Sequence, residues 1–212
     1  MLAIAGGKGG SGKTTTALGL ARAFVRRGCE PLVVDADADM PDVHHAARIE
    51  RRCGVDVLAE EGRPERAVQR SPALPGVALA TAGTPEKTAT ALRAARSWDG
   101  PVLVDCPAGV GPDATCPLRM ADATLVVSTD EPQSLEDGRR TVTVARQLGG
   151  LPAGVVLRTT VGTGCVDRVG GCRVLASVPS VAEPFGEPAC ERVWDALAET
   201  LGGVATPRNH VG

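Results

Sequence analysis

With 212 residues and a formal net charge of −2, the chain is long enough for a packed core and shows no overall basicity pointing to nucleic acid or an anionic membrane. Its few aromatics (Phe24, Trp98, Phe185 and Trp194, with no tyrosine) argue against single-strand nucleic-acid binding by base stacking. No apolar run approaches the roughly 18 residues of a membrane span, no signal peptide precedes the first apolar segment, and seven cysteines without a C-x-x-C pair read as reduced thiols, so a soluble cytoplasmic protein is expected.

Leu2 to Ala5 is a short apolar run that reads as a buried strand. Gly6 to Thr15 follows, and within it Gly7 to Thr14 fits the phosphate-loop pattern G-x-x-x-x-G-K-[ST]. Ala17, Leu18, Leu20, Ala21, Phe24 and Val25 then recur at helical spacing up to Arg26-Arg27-Gly28, which suits a helix C-terminus. Strand, glycine loop and helix are the context in which the motif has a mechanism. The loop Gly7, Lys8, Gly9, Gly10, Ser11, Gly12, Lys13, Thr14 and Thr15 brings backbone N–H groups and a helix N-terminus to bear on phosphate. Lys13 is expected to reach the β- and γ-phosphates, and the Thr14 hydroxyl to ligate Mg²⁺. The cation usage sharpens this. The chain has three lysines among its 23 cationic residues, and Lys8 and Lys13 both fall in this loop. Lysine is a compact point charge that a tight loop accommodates better than the planar fork of arginine.

Pro31 to Asp35 reads as a second apolar strand, ending in the acid-rich turn Asp35 to Asp42. Residues 42–52 and 64–70 are read as helices, Val77 to Ala80 as a weak strand, and Pro85 as the start of a helix running to Ser97. Pro101 to Asp105 is a buried strand that again closes on a carboxylate. Ala123 to Ser128 is a strand, Glu131 to Leu148 a long helix, Ala153 to Leu157 and Arg173 to Ala176 further strands, and Glu187 to Leu201 the last helix. Apolar strands alternating with helices predict an α/β fold, a doubly wound, mostly parallel sheet with helices on both faces. One domain is expected over residues 1–203, with a short flexible tail over 204–212. Ligands of such sheets sit at the strands' carboxyl ends, where the loop, Asp35, Asp37 and Asp105 all fall.

Lys8-Gly9-Gly10-Ser11-Gly12-Lys13-Thr14 resembles the deviant phosphate loop of the MinD/ParA family of ATPases. The resemblance extends through Asp35-Ala36-Asp37 (switch I), Asp105-Cys106-Pro107-Ala108-Gly109 (switch II), Ala121 to Thr129 with Glu131 to Leu135 and Asp137, and Val178-Pro179, covering residue 1 to about 200. Pro-Ala-Gly makes it closer to MinD than to ParA. The resemblance implies a P-loop fold, ATP and Mg²⁺ as ligands, and slow hydrolysis stimulated by a protein partner. It also implies an ATP-dependent homodimer in which Lys8 acts across the interface. Asp37 would orient the attacking water, and Asp35 and Asp105 would support Mg²⁺ through water.

Two positions depart from the family pattern. Where the family carries an Asn that hydrogen-bonds adenine, Arg158 stands here, followed by Thr159 and Thr160, and arginine has no acceptor for the adenine amino group. Arg158 and Pro179 are the residues expected at the base. The basic amphipathic helix that ends bacterial MinD has no counterpart in Ala205 to Gly212, so membrane anchoring by that route is not expected. Three other readings remain open: a DNA-partition ATPase, using Arg48, Arg51, Arg52, Arg63, Arg66 and Arg70; an iron–sulfur or metal carrier, using Cys106 and Cys116; and a non-catalytic nucleotide-binding scaffold. Acids interleaved among those arginines favour a solvated face, buried cysteines usually just pack, and adjacent His44 and His45 on a helix point about 100° apart, unsuited to a joint metal site.

Overall fold

A computed structural model describes residues 1–159 and 166–205. β1 (Leu2–Ala5), β2 (Leu32–Asp35), β4 (Leu74–Ala80), β5 (Val102–Asp105), β6 (Ala123–Thr129), β7 (Leu151–Thr159) and β9 (Cys172–Pro179) run parallel, flanked by the antiparallel edge strands β3 (Gln69–Ser71) and β8 (Arg168–Val169). The order across the sheet is β3-β4-β2-β5-β1-β6-β7-β9-β8. β1 therefore lies between β5 and β6, where the winding reverses, and its carboxyl end opens at the crevice that such a reversal creates.

The pleat sends alternate β1 residues to opposite faces. Leu2 and Ile4 join a core with α1 (Lys13–Arg26) and α8 (Pro188–Ala205). Ala3 and Ala5 join a second core with α3 (Gly54–Glu61), α5 (Thr88–Ala95), Trp98 and Leu118. On the first face Trp194 is fully buried and presses its indole on α1 at Gly19, where an added Cβ would lie 2.3 Å from the ring. The glycine lets the two helices approach this closely.

The doubly wound sheet matches the sequence reading, and the differences lie at its periphery. In place of a helix over 42–52 there is a single turn, α2 (Val43–Ala46), with α3 beginning only at Gly54. The 64–70 helix stops at α4 (Pro64–Ala67), and Gln69–Ser71 becomes an edge strand through pairing with β4. β4 itself is longer than expected, and the Pro85 helix is a 3₁₀ turn followed by α5. Helix α6 (Pro112–Met120) fills a stretch to which the sequence reading assigns no element, α7 spans Pro132–Gln147, and Val178 and Pro179 close β9. The last helix runs through Ala205; the remaining tail residues 206–212, and Thr160, lie outside the described residues.

Candidate functional site

The loop after β1 winds through Gly10 and Gly12, both at positive φ (76° and 95°), and enters α1 at Lys13. Gly12 caps α1 without a side-chain hydrogen bond, and the first turn carries no acid, so the positive end of a 14-residue helix is left for an anion. Gly9 and Gly10 are exposed, Ser11 is buried, and Thr14 and Thr15 are half-buried in the first turn. Gly7 packs on Asp137 of α7 so closely that a side chain there would overlap it. Lys13 is 7% exposed, and its charge bears on both Asp37 and Asp105, which places all three around one space.

Asp35 and Asp105 face each other in register at the ends of neighbouring β2 and β5, and both are buried. They divide the work. The Asp35 carboxylate accepts the N–H of Asp37 (3.1 Å) and of Val43 (3.3 Å), so both of its oxygens hold the acidic turn in place. Asp105 Oδ2 accepts the Thr14 hydroxyl at 2.6 Å, while its Oδ1 is buried without a partner. An orphaned carboxylate oxygen beside a threonine hydroxyl at a phosphate loop fits a hydrated Mg²⁺, a hard ion that keeps several waters. Among the described residues no group of three or more His, Cys, Asp or Glu is placed to hold a metal. Burial, with the Asp105 charge adding to it, pushes the Asp35 carboxyl up to about 8. Burial pushes Asp105 up to about 7, against the Thr14 hydroxyl and the Lys13 ammonium. A bound cation reverses that balance by favouring the ionised forms.

Asp37 Oδ1 accepts the Met40 N–H at 3.0 Å, and burial raises its carboxyl above the ordinary range. Beside it, between Ala36, Pro107, Asp113 and Cys116, is a cavity of about 30 Å³, room for one or two waters. The Pro107-Ala108-Gly109 turn reaches back to the loop, with Gly109 N–H donating to the Gly6 carbonyl at 3.1 Å. That bond ties the segment after β5 to the phosphate cradle.

Lys8 and Arg158 are positioned by contacts that nothing local in the sequence signals. Lys8 Nζ pairs with Glu131 Oε2 at 2.5 Å, on the partly exposed rim where α7 begins. Arg158 lies across the loop, with one guanidinium nitrogen donating to the Gly10 carbonyl (3.3 Å) and the other to Ser180 Oγ (2.9 Å). Pro179, half-buried, is paired with Thr159 at the ends of β9 and β7.

The other candidates divide between arginines engaged with groups elsewhere and cysteines that border the site. Arg48, Arg52, Arg66 and Arg70 each lie within 4 Å of a glutamate (Glu183, Glu50, Glu61 and Glu30), and Arg51 donates to the Ala82 carbonyl. Cys106 is buried, with its thiol pushed up by burial, and Cys116 is half-buried with its thiol also raised. His44 and His45 pack against each other, ring centroids 3.9 Å apart. Among the described residues no helix is long and apolar enough to cross a membrane.

A parallel sheet with a glycine loop at its switch point, a buried lysine on the first helical turn and strand-ending carboxylates around it defines a P-loop nucleotide-binding protein. More narrowly, residues 2–183 match the model of the CobQ/CobB/MinD/ParA nucleotide-binding domain, and the chain belongs to that family. It is 29% identical over 232 residues to an uncharacterised ATP-binding protein of Methanocaldococcus jannaschii, covering 95% of this chain and 87% of the relative. It is 26% identical to the septum site-determining protein MinD of Synechocystis over 67% of this chain and 58% of that protein. Among solved structures, MinD of Pyrococcus horikoshii in complex with Mg-ADP superposes with a TM-score of 0.81 at 21% identity, covering 98% of each chain, a likeness of fold.

Proposed function

We propose that the protein is a MgATP-dependent switch: it binds ATP at the phosphate loop, dimerises with nucleotide held between protomers, hydrolyses it slowly, and regulates a protein partner through that cycle. The observation that carries this reading is the convergence of Lys13, Thr14 and the orphaned Asp105 oxygen at the loop. The Mg-ADP bound to the superposable MinD supports the choice of ligand.

In this reading the loop amides and Lys13 take the β- and γ-phosphates, and the Thr14 hydroxyl with the Asp105 carboxylate supports Mg²⁺. When bound, the ion neutralises charge on the transferring phosphoryl group. Asp37, whose carboxyl feels the Lys13 charge, holds the attacking water, and phosphoryl transfer asks for such positioning more than for covalent chemistry. Lys8 then has to exchange Glu131 for the partner protomer's phosphates. A rim pair with side chains 37% and 63% exposed is worth at most about 1 kcal/mol, so release costs little.

Light scattering with and without ATP, on wild type and Lys8→Ala, tests the switch. Wild type is expected to dimerise with MgATP, and Lys8→Ala to bind ATP with nearly unchanged affinity yet stay monomeric, losing on the order of 10³-fold in turnover, as for a cation supplied in trans. A Lys8→Ala protein that dimerises and hydrolyses at the wild-type rate overturns the dimer mechanism.

A further inference from the structure

A loop that turns its N–H groups toward phosphate turns carbonyls outward, and outward carbonyls need donors of their own. Three donors are in place here. Gly12, the N-cap, gives its carbonyl to the first bond of α1, from Thr16 N–H (2.9 Å); Gly6 is served by Gly109 N–H (3.1 Å), and Gly10, at the bare crown of the loop, by the Arg158 guanidinium (3.3 Å). The first two are backbone groups next to the loop or bound to it. The third comes from β7, two strands away from β1, where Arg158 is fixed in register between Thr129 and Val178.

The arm of Arg158 is as constrained as its head. Its stem crosses Gly12 so closely that a Cβ on residue 12 would lie 2.1 Å from Arg158 Cδ. Glycine at position 12 thus serves twice: it adopts φ of 95°, and it admits the arm. The second guanidinium nitrogen holds Ser180 Oγ at 2.9 Å, and the Ser180 N–H donates to the Thr159 carbonyl at 3.1 Å. One side chain therefore connects the crown of the phosphate cradle to the segment that follows Pro179. The stem over Gly12 and both guanidinium contacts thus direct this side chain at the loop and at Ser180.

We propose that Arg158 is a positioning residue of the phosphate loop and not a reader of the base: it holds the Gly10 carbonyl outward so that the crown amides face the polyphosphate, and gears the cradle to the β9–α8 connection. The proposal rests on the nucleotide-binding reading above and adds to it a residue that acts on the phosphate chain alone.

Calorimetry on the full chain with Mg·ATP, Mg·GTP and Mg·tripolyphosphate separates the two roles, since tripolyphosphate has no base. Arg158→Ala is expected to weaken all three by a common factor of roughly 10, the scale of one hydrogen bond from a charged donor, leaving the ATP-to-GTP ratio at its wild-type value. Arg158→Lys keeps a cation that reaches one of the two acceptors, and should recover part of the loss for all three. Should Arg158→Ala not fold, the lysine variant and Ser180→Ala carry the test, each shifting the three ligands together. A variant that loses ATP affinity but binds tripolyphosphate like wild type, or that changes the ATP-to-GTP ratio, makes Arg158 a base reader and overturns the proposal. So does an unchanged affinity for all three. A wild-type protein that binds none of them refutes the nucleotide reading itself, and the proposal with it.

Discussion

Two buried carboxyls held above their ordinary range make the cation-free protein sensitive to pH in an unusual direction. Asp35 and Asp105 titrate near 3.8 in an unfolded chain, and at about 8 and about 7 in the folded one. A raised folded pKa contributes stability that is complete below the unfolded value and is lost as pH rises through the folded value. Between about pH 5 and 7 the folded state keeps protons that the unfolded state has released, and each group costs up to about 1.4 kcal/mol per pH unit. For a chain of this length that is roughly 2–4 °C in melting temperature per kcal/mol. Thermal melts of wild type and Asp105→Asn, in chelator at constant ionic strength, isolate the effect, because asparagine keeps the shape and can still accept the Thr14 hydroxyl. The wild-type melting temperature should fall relative to the variant as pH rises from 5 to 8. Magnesium with nucleotide should stabilise wild type more at pH 8 than at pH 5.5, since it binds the ionised form. A difference between the two proteins that is constant over this range, or that moves in favour of wild type with rising pH, refutes the reasoning.

Two further outcomes follow from packing and from the acidic turn. Trp194→Ala removes a fully buried indole from the α1–α8 contact, and should cost about 3–5 kcal/mol in urea titrations, since Gly19 offers nothing to refill the space. Asp37→Asn keeps the acceptor for the Met40 amide but removes the negative charge beside the water-sized cavity. It should leave ATP affinity within about threefold of wild type while reducing turnover by on the order of 10² or more, the range expected for a lost water-positioning base.

What was legible in the sequence is what is decided locally. Leu2 to Ala5, the glycine loop and Lys13-Thr14 signal themselves within one stretch, and Asp35 and Asp105 are marked by closing apolar strands. The misread elements owe their state to distant partners. Gln69 to Ser71 has no strand pattern and is a strand only because β4 pairs with it. Helix α6, where the sequence reading assigns no element, buries Ala114, Pro117 and Leu118 at helical spacing, and Pro117 inside it breaks the helical pattern. Within the site, Lys8 finds Glu131 across 123 residues and Arg158 finds Gly10 across 148, contacts that no spacing rule anticipates. Arg158 shows the cost of reading from analogy alone. Its position suggested the base, whereas the contacts that the fold gives it, to the Gly10 carbonyl and Ser180 Oγ, are what motivate the positioning role proposed above.

Central to the proposed chemistry is a phosphate cradle closed by Lys13. Isothermal titration of wild type and Lys13→Ala with MgATP measures this. Wild type should bind one nucleotide per chain, and Lys13→Ala, lacking the buried ammonium that faces Asp105 and Asp37, should show no measurable binding while keeping a cooperative thermal transition. A folded Lys13→Ala protein that binds MgATP with wild-type affinity would contradict the account.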